Sequence, residues 1–312
     1  MLINQNFTQD RTKYLGGSDI GALLGLSTYR TPLELWLEKT GQVVPQTDSL
    51  PLRFGSFAEA FVAAEYTRST GFKLVHDESI YIHPQHTFMS AHIDRFVLGD
   101  GANRPATHLV ECKTANPFTK GQWGGEAGSD QVPMSYLCQC IWYMALTQLE
   151  RVDIAVLFGN SELRLYQIER DLALEELVIG KALQFWQDHV LANVPPPPQT
   201  EDDYQILFKQ GDPSQTIEAN AATLELIDQW QRFTIQSMQL DSQMGQIKQQ
   251  LMETLQEAQS LTYEGQVIAT WKAPKPSYRF DSKRLELEDK ALYERYTMPI
   301  QNSRRLVIKG LN

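Results

Sequence analysis

Four consecutive prolines, Pro195–Pro198, constrain this chain more than any other feature of its sequence. Each proline ring holds φ at about −65° and removes a backbone donor, so the run is extended and fits neither a helix interior nor a central strand. It divides the 312 residues into a first region, 1–195, and a second, 196–312. A length of this order is enough for two structural units.

The first region alternates between helical and strand periodicity. Gly16-Gly17-Ser18-Asp19 leads into the apolar run 20–26, with Ser18 or Asp19 placed to cap a helix. Thr31-Pro32 starts a second helix, with Leu33, Trp36 and Leu37 on one face, and Gly41 ends it. A third helix spans 54–69. Phe54, Phe57, Ala58, Phe61, Val62 and Glu65 follow helical spacing there, Glu59 lies at the edge of the stripe, and Gly71 stops it. Strands are expected at 72–75, 79–83, 89–97, 108–113, 152–158 and 163–169. A Gly-rich loop, 121–130, and a helix over 132–147 separate the fourth strand from the fifth, and a last helix runs over 171–192. Helices, a strand meander, a crossover helix and a strand pair spell an α/β fold with a mixed central sheet flanked by helices.

The second region reads as a C-terminal extension made of one long helix and a β-hairpin. Residues 219–258 form the helix, on which Leu240, Met244, Ile247, Leu251 and Ala258 approach a heptad seam with Thr254 as a weak position. The hairpin joins 261–263 to 266–271 around Glu264-Gly265. No role for this extension follows from its sequence.

Charge narrows the function. The formal net charge of −10 argues against a protein that coats DNA passively, yet residues 268–312 carry 10 basic against 5 acidic side chains. Nucleic-acid binding needs a local basic surface rather than a basic protein, and a metal site adds carboxylates of its own. Three cysteines, Cys112, Cys138 and Cys140, are too few for a disulfide framework or a four-cysteine cluster, and the last two lie in an apolar helical run where they pack. No stretch reaches the roughly 18 apolar residues of a membrane span, and the N-terminus lacks the apolar core of a signal peptide. A cytoplasmic protein with no membrane partner is expected.

The chemistry concentrates in 91–113. Asp94 is followed by a variable loop and then by Val110-Glu111-Cys112-Lys113. Strand alternation turns Glu111 and Lys113 to one side while Val110 and Cys112 face the core. Two acids and a lysine at the end of adjacent strands suit phosphodiester hydrolysis. Carboxylates hold a hard divalent cation through oxygen, the cation polarises phosphate and water, and the lysine stabilises developing charge. Magnesium and manganese share that oxygen preference. The spacing by itself is also met in strands that carry an exposed Glu–Lys pair.

Further motifs stand around this core. The N-terminal stretch Gly16-Gly17-Ser18-Asp19-Ile20-Gly21-Ala22 continues to Thr31-Pro32-Leu33-Glu34-Leu35-Trp36. Phe54-Gly55 leads to Glu59, Ile93-Asp94 precedes Glu111-Cys112-Lys113, and Trp123 and Val132-Pro133 precede Tyr136 and Gln139. Occurring in this order within residues 11–170, they resemble the YqaJ-type viral recombinases, relatives of phage lambda exonuclease in the PD-(D/E)XK nuclease superfamily. The resemblance implies a restriction-endonuclease-like core over 1–195. It implies an exonuclease that degrades the 5′-ended strand of linear duplex DNA and leaves a 3′ overhang for recombination by strand annealing.

Residue by residue, the resemblance implies that Asp94, Glu111 and the backbone carbonyl of Cys112 bind magnesium, and that Lys113 orients or activates water. Glu59 serves a second metal or its water shell, and Tyr136 with Gln139 closes the site. Arg11 and Ser18 receive the 5′-phosphate, helped by Lys13 and Arg30; an arginine beside a helix start also suits an anion on physical grounds. DNA ends, a single-strand annealing protein and a homotrimer are the implied partners. An endonuclease on the same core, or a non-enzymatic module that binds DNA ends or a partner, are the alternatives. His83, His86 and His92 are scattered by Pro84 and strand alternation and do not read as a zinc site. The Gly-rich loop lacks a phosphate-cradling Gly-Lys-Ser/Thr ending and reads as a flap beside the site.

Overall fold

The computed structural model describes residues 2–3, 10–44, 49–99, 105–125, 128–299 and 303–309. The chain falls into two compact units, Met1–Leu207 and Phe208–Asn312.

The first unit begins with β1 (Leu2–Ile3) and a 3-10 turn at Arg11–Lys13, followed by α1 (Gly17–Leu23), α2 (Pro32–Lys39) and α3 (Leu50–Thr70). Six short or medium strands follow: β2 (Leu74–Val75), β3 (Tyr81–Ile82), β4 (Ser90–Ala91), β5 (Arg95–Leu98), β6 (Ala106–Ala115) and, after α4 (Met134–Thr147), β7 (Arg151–Phe158). β8 (Glu162–Glu169), α5 (Leu172–Phe185) and α6 (Glu201–Leu207) complete the unit. The main sheet has the order β2-β5-β6-β7-β8. Only β6 and β7 run parallel, because α4 carries the chain across between them, and the other pairs are antiparallel. This is the mixed central sheet flanked by helices that the sequence leads one to expect. A smaller antiparallel sheet, β1-β3-β4, stands beside it.

Both faces of the main sheet are covered. Trp142, Ile141 and Met144 of α4 pack with Leu109, Ile154 and Val156 of the sheet, and Ile20 and Leu33 join them from α1 and α2. On the other face, Val62 and Tyr66 of α3 pack on Val97, Val110 and Ala155. Two buried layers explain why β7 reads as a nearly continuous apolar run over Ile154–Phe158.

Four expectations need correction. The strand expected over 89–97 is two strands in two sheets, β4 and β5, with His92-Ile93-Asp94 between them. Burial is interrupted there: Met89–Ala91 and Arg95–Val97 are buried in succession, whereas His92 is exposed and Asp94 half-buried between them. Neither Ser18 nor Asp19 caps α1. Gly16 is the N-cap, and the Asp19 carboxylate reaches back to accept a hydrogen bond from its N–H at 3.0 Å. The helix over 171–192 leaves α geometry at Phe185 and continues as a π-helical turn, Trp186–Leu191. On α3 the face toward the sheet is Ala58, Val62 and Tyr66, and Phe54, Phe57 and Phe61 are exposed. Gly71 does stop α3, in the left-handed region at φ 75°, where its N–H bonds the Thr67 carbonyl.

The first unit runs past the prolines to Leu207. Thr31 Oγ1 donates to Asp203 Oδ1 of α6 at 2.7 Å, and Asp203 is buried. The second unit contains α7 (Ala221–Leu255), a hairpin of β9 (Ser260–Tyr263) and β10 (Gln266–Thr270), and two short helices, α8 (Ser282–Glu288) and α9 (Lys290–Tyr296). Glu264 and Gly265 turn the hairpin with φ 48° and 80°, the two positive values of a tight primed turn. The basic stretch 268–312 and the Gly-rich loop 121–130 lie partly outside the described residues. Among the described residues no helix is long and apolar enough to cross a membrane.

Candidate active site

The break between β4 and β5 sets the geometry. The ladder joining β5 to β6 begins at the pair Arg95–Val110, so Cys112 lies beyond its end. Its N–H, with no strand partner on that side, donates to Asp94 Oδ2 at 2.8 Å. The N–H and C=O of a strand residue point the same way, so the Cys112 carbonyl also faces Asp94.

Glu111 and Lys113 leave β6 on its α4 side, as alternation requires. Glu111 is 3% exposed, and its Oε1 takes both the Lys113 ammonium at 2.5 Å and the Gln139 Nε2 amide at 2.7 Å. Its Oε2 is buried without a hydrogen-bond partner among the described residues. The Lys113 ammonium also lies 5.1 Å from the centre of the Tyr136 ring, which stacks on Trp123. Asp94, Glu111, Lys113, Gln139 and Tyr136 therefore meet in one place.

Electrostatics are uneven there. Burial, and then the charge of Glu111, pushes the Asp94 carboxyl up to about 8, against the pull of Lys113 and the Cys112 N–H. Burial works against the Lys113 charge as well, but Glu111 and Asp94 outweigh it and hold the ammonium protonated well above the usual lysine range. Two carboxylates face one ammonium, so the site is short of positive charge. A buried orphan oxygen beside a second carboxylate is a fit for a hard divalent cation, and the carbonyl of Cys112 adds a third oxygen. Among the described residues no three His, Cys, Asp or Glu side chains converge on one point. Water and a bound phosphate are left to complete the shell of such an ion, as magnesium favours.

Glu59 stands apart from this group. Its Oε1 accepts from Arg95 Nη1 at 2.6 Å, and the same guanidinium bonds the Asp94 backbone carbonyl. Glu59 thus acts on Asp94 through Arg95, a partner that the sequence reading missed. Tyr143 is a second residue the sequence analysis does not single out. Its hydroxyl accepts from Gln139 Nε2 at 2.6 Å, so it helps aim the amide that holds Glu111. Gly17 lets that ring in close: a Cβ there would come within 2.4 Å of it. The only sequence signal for Tyr143 is its position four residues after Gln139, on the same face of α4.

A second charged cluster sits at the start of α1. Asp19 is fully buried and pairs with Lys39 at 2.8 Å, Arg30 at 2.5 Å and Arg11 at 3.5 Å. Glu38 pairs with Arg30 at 2.5 Å and lies 4.0 Å from Arg11. Burial favours the neutral acid at Asp19, but Lys39, Arg30 and Arg11 outweigh it and hold the carboxyl at about 2. Three cations against two carboxylates leave a surplus positive charge. Ser18 is exposed next to Asp19, whereas Lys13, among the described residues, pairs with Asp10 at the surface, 3.4 Å away, and not with the acids of the cluster.

Comparison with known proteins defines the class first. Residues 6–150 match the YqaJ-like viral recombinase domain. The Bacillus subtilis protein YqaJ, itself described as uncharacterized, is 31% identical over 293 residues, covering 92% of this chain and 88% of that one. The chain belongs to the family of YqaJ-like viral recombinases. Solved structures similar to it include an alkaline exonuclease, LHK-Exo, from Laribacter hongkongensis, with 20% identity and a TM-score of 0.46 over 59% of this chain and 91% of the other. A phage-related exonuclease from Haemophilus somnus has 10% identity and a TM-score of 0.40 over 58% and 96%.

Proposed function

We propose that this protein is a divalent-metal-dependent DNA exonuclease that degrades the 5′-ended strand of linear duplex DNA and leaves 3′ single-stranded overhangs. The observation that carries the reading is the meeting of Asp94, Glu111 and Lys113 around a buried, unpartnered carboxylate oxygen. Asp94, Glu111 and the Cys112 carbonyl hold magnesium, with manganese accepted by the same ligands. The ion supplies Lewis acidity toward the scissile phosphate and lowers the pKa of water.

The protein groups do the rest. Lys113 stays protonated beside Glu111, so it orients the attacking water and stabilises charge on the phosphate rather than removing a proton. Gln139 fixes the Glu111 carboxylate, and Tyr136 covers the lysine from the α4 side. Glu59 steadies the Asp94 segment through Arg95, and its role toward the ion would be to serve a second metal or the water shell. Arg11 and Ser18, with Arg30 behind them, take the 5′-phosphate. The surplus positive charge of their cluster supports this reading. The overhang passes to a single-strand annealing protein. A homotrimer around DNA is the assembly the family resemblance suggests, and the extension expected from residue 196 begins as a unit of its own at Phe208, the nuclease part running on to Leu207.

Digestion of linear and covalently closed duplex DNA, with magnesium or with EDTA, tests the function. Loss of a 5′ label from linear DNA, with magnesium only and with circles intact, is expected. Cut circles would replace the reading with an endonuclease, and no cleavage of either DNA would leave a binding module.

A further inference from the structure

Among the described residues of its own unit, helix α7 leaves an apolar seam uncovered over most of its length. Leu240, Met244, Ile247 and Leu251 recur at alternating steps of four and three residues, and Trp230 and Phe233 extend the pattern upstream. All six are exposed; Leu240 is 60% and Met244 67% accessible. A 35-residue helix with a bare seam of this period is built to pair with another helix.

We propose that the partner is α7 of a second copy of this chain, lying antiparallel. Three features of the helix select that occupant. First, the flanks suit self-association. Gln229, Gln236, Gln243 and Gln250 line one side of the seam, so two copies bring no like charges together there. Second, the charges on the other side are Asp241 and Lys248, one of each sign. In the antiparallel register that sets Met244 against Ile247 of the second copy, Asp241 faces the Lys248 of that copy, and two-fold symmetry forms the pair twice. A parallel pair instead sets both residues against glutamines. Third, the two polar interruptions of the seam, Ser237 and Thr254, fall opposite each other in the same antiparallel register, and Leu240 meets Leu251. The apolar layers Leu240–Leu251 and Met244–Ile247 then face each other, the polar layer faces a polar one, and Trp230 and Phe233 lie beyond the paired stretch. This inference is independent of the nuclease reading, since no residue of the seam belongs to the candidate active site.

Cysteine cross-linking of the full chain tests the orientation, with the unsubstituted protein as the control for its own three cysteines. The double variant Leu240→Cys/Leu251→Cys should form a covalent dimer under mild oxidation, and either single variant should not. Sedimentation of Leu240→Glu/Ile247→Glu should show a smaller particle than the unsubstituted chain at equal concentration. Single variants that cross-link as well as the double one would overturn the antiparallel arrangement. No cross-link in any variant, or an unchanged sedimenting mass after the glutamate substitutions, would overturn self-pairing through α7.

Discussion

Two of the buried charge clusters in the first unit are built from the same few residue types, yet their aspartates are shifted in opposite directions. At the end of β6, two carboxylates share one ammonium, and Asp94 is pushed up to about 8. At the start of α1, two carboxylates meet three cations, and Asp19 is held at about 2. Desolvation raises both acids, so the difference comes from the count of counter-charges. A cluster short of a cation is prepared for a metal ion, and a cluster with a cation to spare is prepared for an anion. Buried oxygens without hydrogen-bond partners occur in both, Glu111 Oε2 and Glu38 Oε1, but Glu38 Oε1 has the Lys39 ammonium 3.6 Å away.

The largest expected effect comes from removing the one ammonium of the first cluster. Lys113→Ala should lower cleavage by about a thousandfold or more, in the range found when a single electrostatic stabiliser is lost, while folding and DNA binding persist. Rate measurements on end-labelled duplex, with circular dichroism and a gel-shift assay alongside, check this. Normal cleavage by the variant would remove Lys113 from the site.

A third buried network serves as the contrast. Asp153 accepts from the Tyr66 hydroxyl at 2.6 Å and from Arg151 through two bonds, with His108 at 3.5 Å. Burial would raise its pKa, but these partners hold the carboxyl at about 2. Its charges are matched, so the comparison assigns it stability and no ligand. Asp153→Asn should cost about 3 kcal/mol of unfolding free energy in a denaturant titration. Cleavage at a permissive temperature should be unchanged, and a selective loss of cleavage would blur the distinction between matched and unmatched clusters.

A smaller effect is expected at the second cluster. Duplex ends with a 5′-phosphate should be degraded about tenfold faster than 5′-hydroxyl ends, a difference of roughly one charge-assisted hydrogen bond. Arg11→Ala should erase most of that preference. Arg11 is the right residue to change, because its side chain is 43% exposed, whereas Arg30 is tied to both buried acids. Equal rates on the two ends by the unsubstituted protein would take Arg11 and Ser18 out of a phosphate pocket.

Much of the first cluster is legible in the sequence, since its logic is local. Alternation along 110–113 turns Glu111 and Lys113 to one side, and the i, i+3 spacing of Tyr136 and Gln139 puts them on one face of α4. The contact between α4 and β6 needs only the order of elements. The second cluster is less legible. Glu38 and Lys39 look like the polar end of a surface helix, and their burial depends on α1 and the Arg11 segment folding over α2. The split between β4 and β5 is hidden for a related reason: Arg95 sits among apolar neighbours and is buried because Glu59 arrives from α3. Tertiary partners decide both cases, and residue spacing does not record them.

The β6 cluster lacks a cation, a deficit that thermal melting from pH 6 to pH 9, with and without magnesium, would expose. The folded chain keeps the Asp94 proton to about 8, far above the ordinary 3.8. Proton binding therefore adds stability that is full below the ordinary value and is lost as pH rises through about 8. Without metal, Tm should fall across that window; magnesium should restore it, with a shift that grows toward pH 9, and Asp94→Asn should flatten both trends. A magnesium shift of the same size in Asp94→Asn as in the unsubstituted protein would contradict the account.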